Sequence, residues 1–230
     1  MWDNYVGKQI ERCRTNVRNS AFGWLAGSVV AGLLAYALRS GSSSTWAIVA
    51  LIGAIVMLVI GFSNLSTWLL WRNKPDRHQA VVELAQYGDV AKLADQISRE
   101  VAEAGDEVIR VGSSKLTESW LLEEDSLGFH ATPYARIAWV FEKSTKHYTN
   151  FIPTGTTHEL IVRTAVGTER TISGIGDKDV KFLMLQIKAQ NPSIVLGYNE
   201  QLDGLWKSDP AGTARSLAAR RTPGQESGEP

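Results

Sequence analysis

The chain has 230 residues, 44% of them hydrophobic, and its 24 Lys and Arg balance 24 Asp and Glu. That zero sum hides an asymmetry: residues 1–72 carry six Lys/Arg against two Asp/Glu, and residues 73–230 carry eighteen against twenty-two. An acidic remainder argues against the basic footprint of a nucleic-acid binder, and the single cysteine, Cys13, excludes internal disulfides and a paired-cysteine zinc site.

Within residues 1–20, Trp2, Tyr5, Val6, Ile10 and Cys13 share one helical face, with Lys8, Arg12 and Arg18 largely off it. This predicts a juxtamembrane amphipathic segment, as an interfacial helix or a frayed terminus. Cys13 is there either an inert thiol or an acylation site. Two uncharged stretches follow, Ala21 to Leu38 and Trp46 to Phe62, the second able to run on to Trp71. Each approaches the roughly 20 apolar residues that cross a hydrocarbon core. Residues 21–72 therefore read as a two-span transmembrane hairpin, turned by Ser40 to Thr45.

Lys8, Arg12, Arg14 and Arg18 precede the hairpin and Arg72, Lys74 and Arg77 follow it, whereas Arg39 stands alone between the spans. Cations resist translocation, so the expectation is a multi-pass protein of the plasma or inner membrane with both termini cytoplasmic. Phe22, Trp24, Tyr36, Trp46, Trp68 and Trp71 sit where headgroup-level aromatics belong. A rival reading takes Ala35-Tyr-Ala37 as a signal-peptidase site. Gly23, Gly27, Ala31 and Ala35 recur every four residues and make a smooth helix-packing face, for the hairpin itself or for a homo-oligomer through the first span. Ala50 and Ala54 repeat the pattern. Neither span has an internal ionisable residue on which an ion path would run.

Residues 73–105 predict a helical stalk: one helix from Asp76 to Tyr87, the punctuation Gly88-Asp89, and a second from Val90 to Ala104. From Glu107 the pattern becomes strand-like in 108–112, 116–122, 127–131, 135–143, 158–164 and 169–174, with turns at 123–126, 132–133, 153–155 and 166–168. A helix capped by Asp177 follows, with Val180, Phe182, Leu183, Leu185, Ile187 and Ala189 as its apolar positions, stopped at Asn191-Pro192. Residues 193–198 and a helical turn through Leu202, Leu205 and Trp206 complete a β-rich domain at 106–206. Residues 207–230 have almost no bulky apolar side chains and predict a disordered tail.

The meander, with Thr117-Glu-Ser-Trp-Leu-Leu122 opening a strand, Pro133-Tyr-Ala-Arg-Ile-Ala-Trp-Val-Phe-Glu142 after a short strand, then a hairpin and one amphipathic helix, resembles a PH-like domain. Such domains follow paired transmembrane helices in small, largely uncharacterised bacterial membrane proteins. The resemblance spans roughly Glu107 to Gln190 and implies an α+β fold: a partial barrel of antiparallel strands capped by a C-terminal helix. It brings no catalytic residues. The implied role is non-enzymatic scaffolding at the membrane, with lipid sensing, or less readily a tethered hydrolase, as the alternatives.

Specific sites are sparse. The loop 112–115 offers a phosphoinositide only Lys115, and 123–126 carries three carboxylates that repel phosphate. Ser173-Gly-Ile-Gly-Asp177 lacks the glycine frame of a phosphate loop. His78, His130, His147 and His158 have no metal-ligand spacing, and Ser113 and Ser114 lack a nucleophile-elbow frame. No cofactor is expected, and the expected partners are the bilayer and a membrane or cytosolic protein. Trp120 and Trp139 read as core. Lys143, Lys146 and His147, near Tyr148 and Phe151, form the one basic cluster suited to an inner leaflet or a partner.

Overall fold

A computed structural model describes residues 3–39, 44–125, 128–149 and 151–219. The chain is α+β and divides into two compact units, Met1–Ala94 with Asp125–Phe129, and Asp95–Glu124 with His130–Pro230.

In the first unit, α1 (Tyr5–Arg39) and α2 (Ser44–Asn73) have 35 and 30 residues, so they are about 52 and 45 Å long at 1.5 Å per residue. Both are long and apolar enough to cross a membrane. Asn64 Nδ2 donates to Ser20 Oγ at 3.1 Å, Gly61 lies against Leu25 and Gly27 against Met57. Partner numbers rise on one helix as they fall on the other, which makes the pair antiparallel. A Cβ on Gly61 would stand 2.8 Å from Leu25 Cγ and 3.1 Å from the Leu25 backbone nitrogen, so the helices approach closely only because this residue is glycine. Outward, Phe22, Val29, Leu33, Ile48, Ile52 and Val59 are all more than half exposed.

The buried face of α1 differs from the expected stripe. Ala21, Ser28 and Ala35 are buried, seven residues apart, as a two-helix seam requires. Gly27 and Ala31 flank this line, and Gly23 is exposed with nothing within 4 Å of a Cβ built on it. A spacing of four slowly drifts around a helix of 3.6 residues per turn and carries Gly23 off the seam. The expected juxtamembrane segment is likewise no separate element. It is the first part of α1, and Val6, Ile10, Cys13 and Val17 are at most 4% exposed, with the Tyr5 ring edge-on to Phe129 at 6.1 Å. Protein covers that face where an interfacial helix would present it to lipid. Trp2 and most of the expected turn, residues 40–43, lie outside the described residues.

A 3-10 turn at Pro75–Arg77 leads to α3 (Gln79–Ala85). His78 caps α3 by accepting from the Ala80 N–H at 3.2 Å, and its ring lies 4.4 Å from that of Trp71. Asp89 Oδ1 accepts from Ala91 and Lys92 at the start of α4 (Val90–Ala104), the capping role expected of it.

The second unit is built on two four-stranded sheets. The first, in the order β1-β2-β3-β4, comprises β1 (Ile109–Val111), β2 (Ser114–Leu116), β3 (Trp120–Glu124) and β4 (Phe129–Pro133). The second comprises β5 (Ile137–Thr149), β6 (Ile152–Thr164), β7 (Glu169–Ile175) and β8 (Val195–Leu196), ordered β7-β6-β5-β8. Helix α5 (Asp177–Gln190) follows β7, while α6 (Glu200–Ser208) and α7 (Pro210–Ala219) follow β8. The segment 112–115, expected as a turn, contributes β2. Gly112 makes that tight reversal at φ 58, a conformation suited to glycine.

Two apolar clusters explain why Ile137–Phe141 is apolar without alternation. Ile137 and Val140 join Leu160, Val162 and Ile172 with Val180, Leu183 and Ile187 of α5 on one face. Ala138, Trp139 and Phe141 join Ile161 with Trp206 of α6 and Ala214 and Leu217 of α7 on the other. A strand covered on both faces loses the period-two signal. Phe182 and Leu185, expected on the apolar face of α5, are 38% and 65% exposed. Gly176 rather than Asp177 occupies the N-cap position.

The expected disordered tail is corrected over 207–219. Lys207 and Ser208 end α6, and Asp209 caps α7 by accepting from the Gly212 N–H at 2.8 Å. Ala214 is fully buried and Leu217 nearly so. Small residues suffice for a helix that lies close to a sheet, and Ala is the best helix former. Residues 220–230 lie outside the described residues.

Candidate functional site

Strands β5 and β6 pair from Ile137↔Thr164 to Thr149↔Ile152, but β7 stops at His158↔Ile175. Beyond that point β5 and β6 continue, among the described residues, as a two-stranded ribbon with no third strand, and the expected turn at 153–155 lies within β6. All of Lys143–Thr149 and 151–157 is exposed. At the tip Tyr148 is 61%, Phe151 98% and Ile152 66% exposed. Phe151 has φ 65, the sole non-glycine residue with positive φ among those described, where a bulky side chain is an outlier.

The structure therefore brings Lys146 and His147 together with the tip aromatics, with His147 Nε2 2.9 Å from Thr157 Oγ1. Lys143 stands apart, at the root of the ribbon, 3.4 Å from a Glu159 carboxylate oxygen. Lys115 is drawn to Glu124 at 2.7 Å, which removes it further from any phosphate-binding role.

Beside the root lies a grouping that sequence spacing concealed. Glu142 on β5, His158 on β6 and Asp177 at the start of α5 bring one ligand-type atom each within 4.8 Å of one another. His158 Nδ1 is 2.7 Å from Glu142 Oε1. One imidazole and two carboxylates are donors suited to a divalent cation. Here Lys181 already holds Asp177 at 2.7 Å. That contact lowers the Asp177 carboxyl below its ordinary range and raises the Lys181 ammonium.

A groove of about 500 Å³ lies over the second sheet, lined by Phe141, Lys143, Arg163, Thr171, Tyr198 and Lys207 among others. Its floor is Arg163, only 3% exposed. The guanidinium donates to Glu169 at 2.6 Å and to Asp203 at 2.7 Å. It also sits 4.6 Å from the Trp139 ring centre, 5.1 Å from Phe141 and 5.0 Å from Trp206, a cation among π faces. Arg163 Nη1 has no hydrogen-bond partner among the described residues. Hydrogen bonds from Lys207 and then Arg163 hold the Asp203 carboxyl below its usual value. The arrangement binds charge in mutual pairs and offers a shaped, mixed-charge surface. Its only sequence signal is an arginine inside the apolar run Leu160-Ile-Val-Arg163, and its partner is forty residues away.

Trp120 and Trp139 are buried, at 2% and 0% exposure, as core residues should be. His78 and His130 are buried too, whereas His147 is exposed and His158 half-buried. No family model, curated protein or solved structure matches the chain.

Proposed function

We propose that this is a membrane-anchored, non-enzymatic interaction protein that presents a PH-like domain at the cytoplasmic face of the plasma or inner membrane. One observation carries the reading: α1 and α2 point bulky apolar side chains outward along lengths sufficient to cross a bilayer. In water that surface far exceeds the few hundred Å² a soluble monomer tolerates in one patch. In lipid it is at home. The cations before α1 and after α2 support cytoplasmic termini.

The PH-like reading is supported by element order: four strands in one sheet, three further antiparallel strands in another, then α5 with Val180, Leu183 and Ile187 in the shared core. The groove over Arg163, whose lining charges pair with one another, suits a docking surface better than a reaction centre. Scaffolding is accordingly favoured over a hydrolase. A homo-oligomer through α1 would use the exposed Gly23, with Gly27 and Ala31 only at the margin of the hairpin seam and Ala35 already inside it.

Two measurements test the proposal together. The full chain should resist alkaline extraction from membranes, and reporters fused to either end should both register the cytoplasm. An exported carboxyl-terminal reporter, or release of the chain by alkali, would refute it. A photoreactive residue at Thr171 in the groove should then crosslink a protein neighbour in native membranes.

A further inference from the structure

We infer that the tip of the β5–β6 ribbon is a lipid-contacting finger that inserts Tyr148, Phe151 and Ile152 at headgroup depth into an anionic membrane surface. The inference rests on the membrane placement proposed above and names a partner for one surface of the same protein.

Packing does not account for the tip side chains, which are largely exposed. A ribbon turn is served best by Gly or Asn, which adopt positive φ readily. Phe151 instead holds φ 65 with 98% of its surface in water. A backbone outlier at an exposed aromatic motivates a contact for that side chain. Tyr148 and Ile152, two-thirds exposed beside it, extend the apolar patch across both strands.

The chemistry of the rest of the ribbon selects the surface. Residues 144–157, the ribbon beyond its root, contain Lys146 and His147 and not one Asp or Glu, while Lys143 at the root is drawn to Glu159. Cations next to apolar and aromatic side chains complement a lipid surface with anionic headgroups, and Tyr with Lys is the pairing found at the membrane interface. A protein partner would gain from the apolar tip but gives no reason for the exclusion of acids.

Backbone polarity sets the depth. The two strands satisfy each other across the ribbon, but among the described residues no further strand pairs with their outer edges beyond His158. Unpaired backbone groups are intolerable in hydrocarbon and are satisfied by water among headgroups. From the Ser144↔His158 pair to the tip is six residues, about 20 Å at 3.3 Å each. The finger thus reaches a surface while the sheet core stays in water.

The test uses the full chain in nanodiscs, with Cys13→Ala removing the native thiol and Thr149→Cys carrying an environment-sensitive NBD dye. Phosphatidylglycerol-containing discs are compared with pure phosphatidylcholine discs. Each is supplied with excess vesicles of its own lipid, so that either the anchoring surface or an opposing one is available. In the anionic lipid we expect blue-shifted emission, quenching by a spin label near the headgroup more than by one deep in the chains, as for a shallow insertion, and a loss of iodide quenching relative to the phosphatidylcholine discs. Phe151→Asp and Lys146→Glu should each return iodide access to the phosphatidylcholine value. Equal iodide access in both lipids overturns the proposal and points the tip at a protein. Lipid quenching that ignores headgroup charge and Lys146→Glu also overturns it. Co-elution of the chain with the discs reads the anchor separately, so a free finger on an anchored protein leaves the proposed function standing.

Discussion

Removing Asp203 should destabilise the second unit by leaving a buried cation short of its counter-charge. The Arg163 and Asp203 side chains are 4% and 8% exposed and 2.7 Å apart. Breaking such a pair from one side costs about 3–5 kcal/mol when nothing compensates. Glu169 does compensate in part, at 2.6 Å, but its side chain is 43% exposed and shares the charge with water. The expected cost of Asp203→Ala is therefore roughly 2–3 kcal/mol, or about a 30- to 150-fold rise in hydrogen exchange of β5, β6 and α6 amides. Hydrogen-exchange mass spectrometry of the full chain in detergent reads this without requiring both units to unfold together. Arg163→Met with Asp203→Leu removes both charges and keeps the volume near that of the wild type, so exchange should return to within about tenfold of it. A double variant as labile as Asp203→Ala would refute the reasoning and assign the loss to aromatic stacking on the guanidinium.

Three further outcomes follow from local geometry. With Cys13→Ala, the pair Ser20→Cys and Asn64→Cys should oxidise to a disulfide within the helical hairpin; Gly61→Val should slow it severalfold, because overpacking costs about 1–3 kcal/mol, while Gly23→Val should not. Equal slowing by both would place the helix contact elsewhere. Gly112→Ala should cost about 1–3 kcal/mol, since φ is 58 and the new Cβ would stand 2.7 Å from Ile175 Cγ2; Ile175→Val should recover only the steric share, and unchanged thermal melting would contradict the turn. Burial alone would raise the Glu100 carboxyl, but hydrogen bonds from Gln96, Thr117 and the Ser119 N–H outweigh it and hold it below its ordinary value. A carboxyl depressed in the folded state contributes stability above its unfolded pKa of about 4.3 and loses it as pH falls through the folded value. Acid should thus loosen α4 from the β2–β3 connection, and Glu100→Gln should flatten part of that acid limb in amide exchange; an unchanged slope would exclude Glu100 as its source.

The strongest local signals were fully legible in the chain. Uncharged stretches at 19–38 and 40–71 announced two long apolar helices, because lipid-length runs without charge have few other uses. Asp89 beside Gly88 marked a helix start, and β-branched runs marked strands, because capping and pleat preferences act between neighbours in sequence. The basic cluster at 143–147 was also visible. Its surroundings were not, since Thr and Gly within 144–157 read equally as loop and as ribbon. Only cross-strand pairing with 152–164 chose between them.

Tertiary structure decided the rest. Helix α7 could not be read from Pro210-Ala-Gly-Thr-Ala-Arg, because its stability comes from Ala214 and Leu217 packed with Ala138, Trp139, Phe141 and Ile161, more than fifty residues earlier. Arg163 carries no mark of its partners in the run Leu160-Ile-Val-Arg163, and only the fold brings Asp203, Trp206 and Trp139 around it. The same holds for Glu142, His158 and Asp177, whose proximity exists only after β5, β6 and α5 are in place. Sequence alone determined that two segments are long and apolar enough to cross a membrane, since transfer free energy belongs to the side chain. Which charges meet and which surfaces remain bare depended on long-range closure of the chain, where contact partners are set by packing geometry and leave no periodic trace.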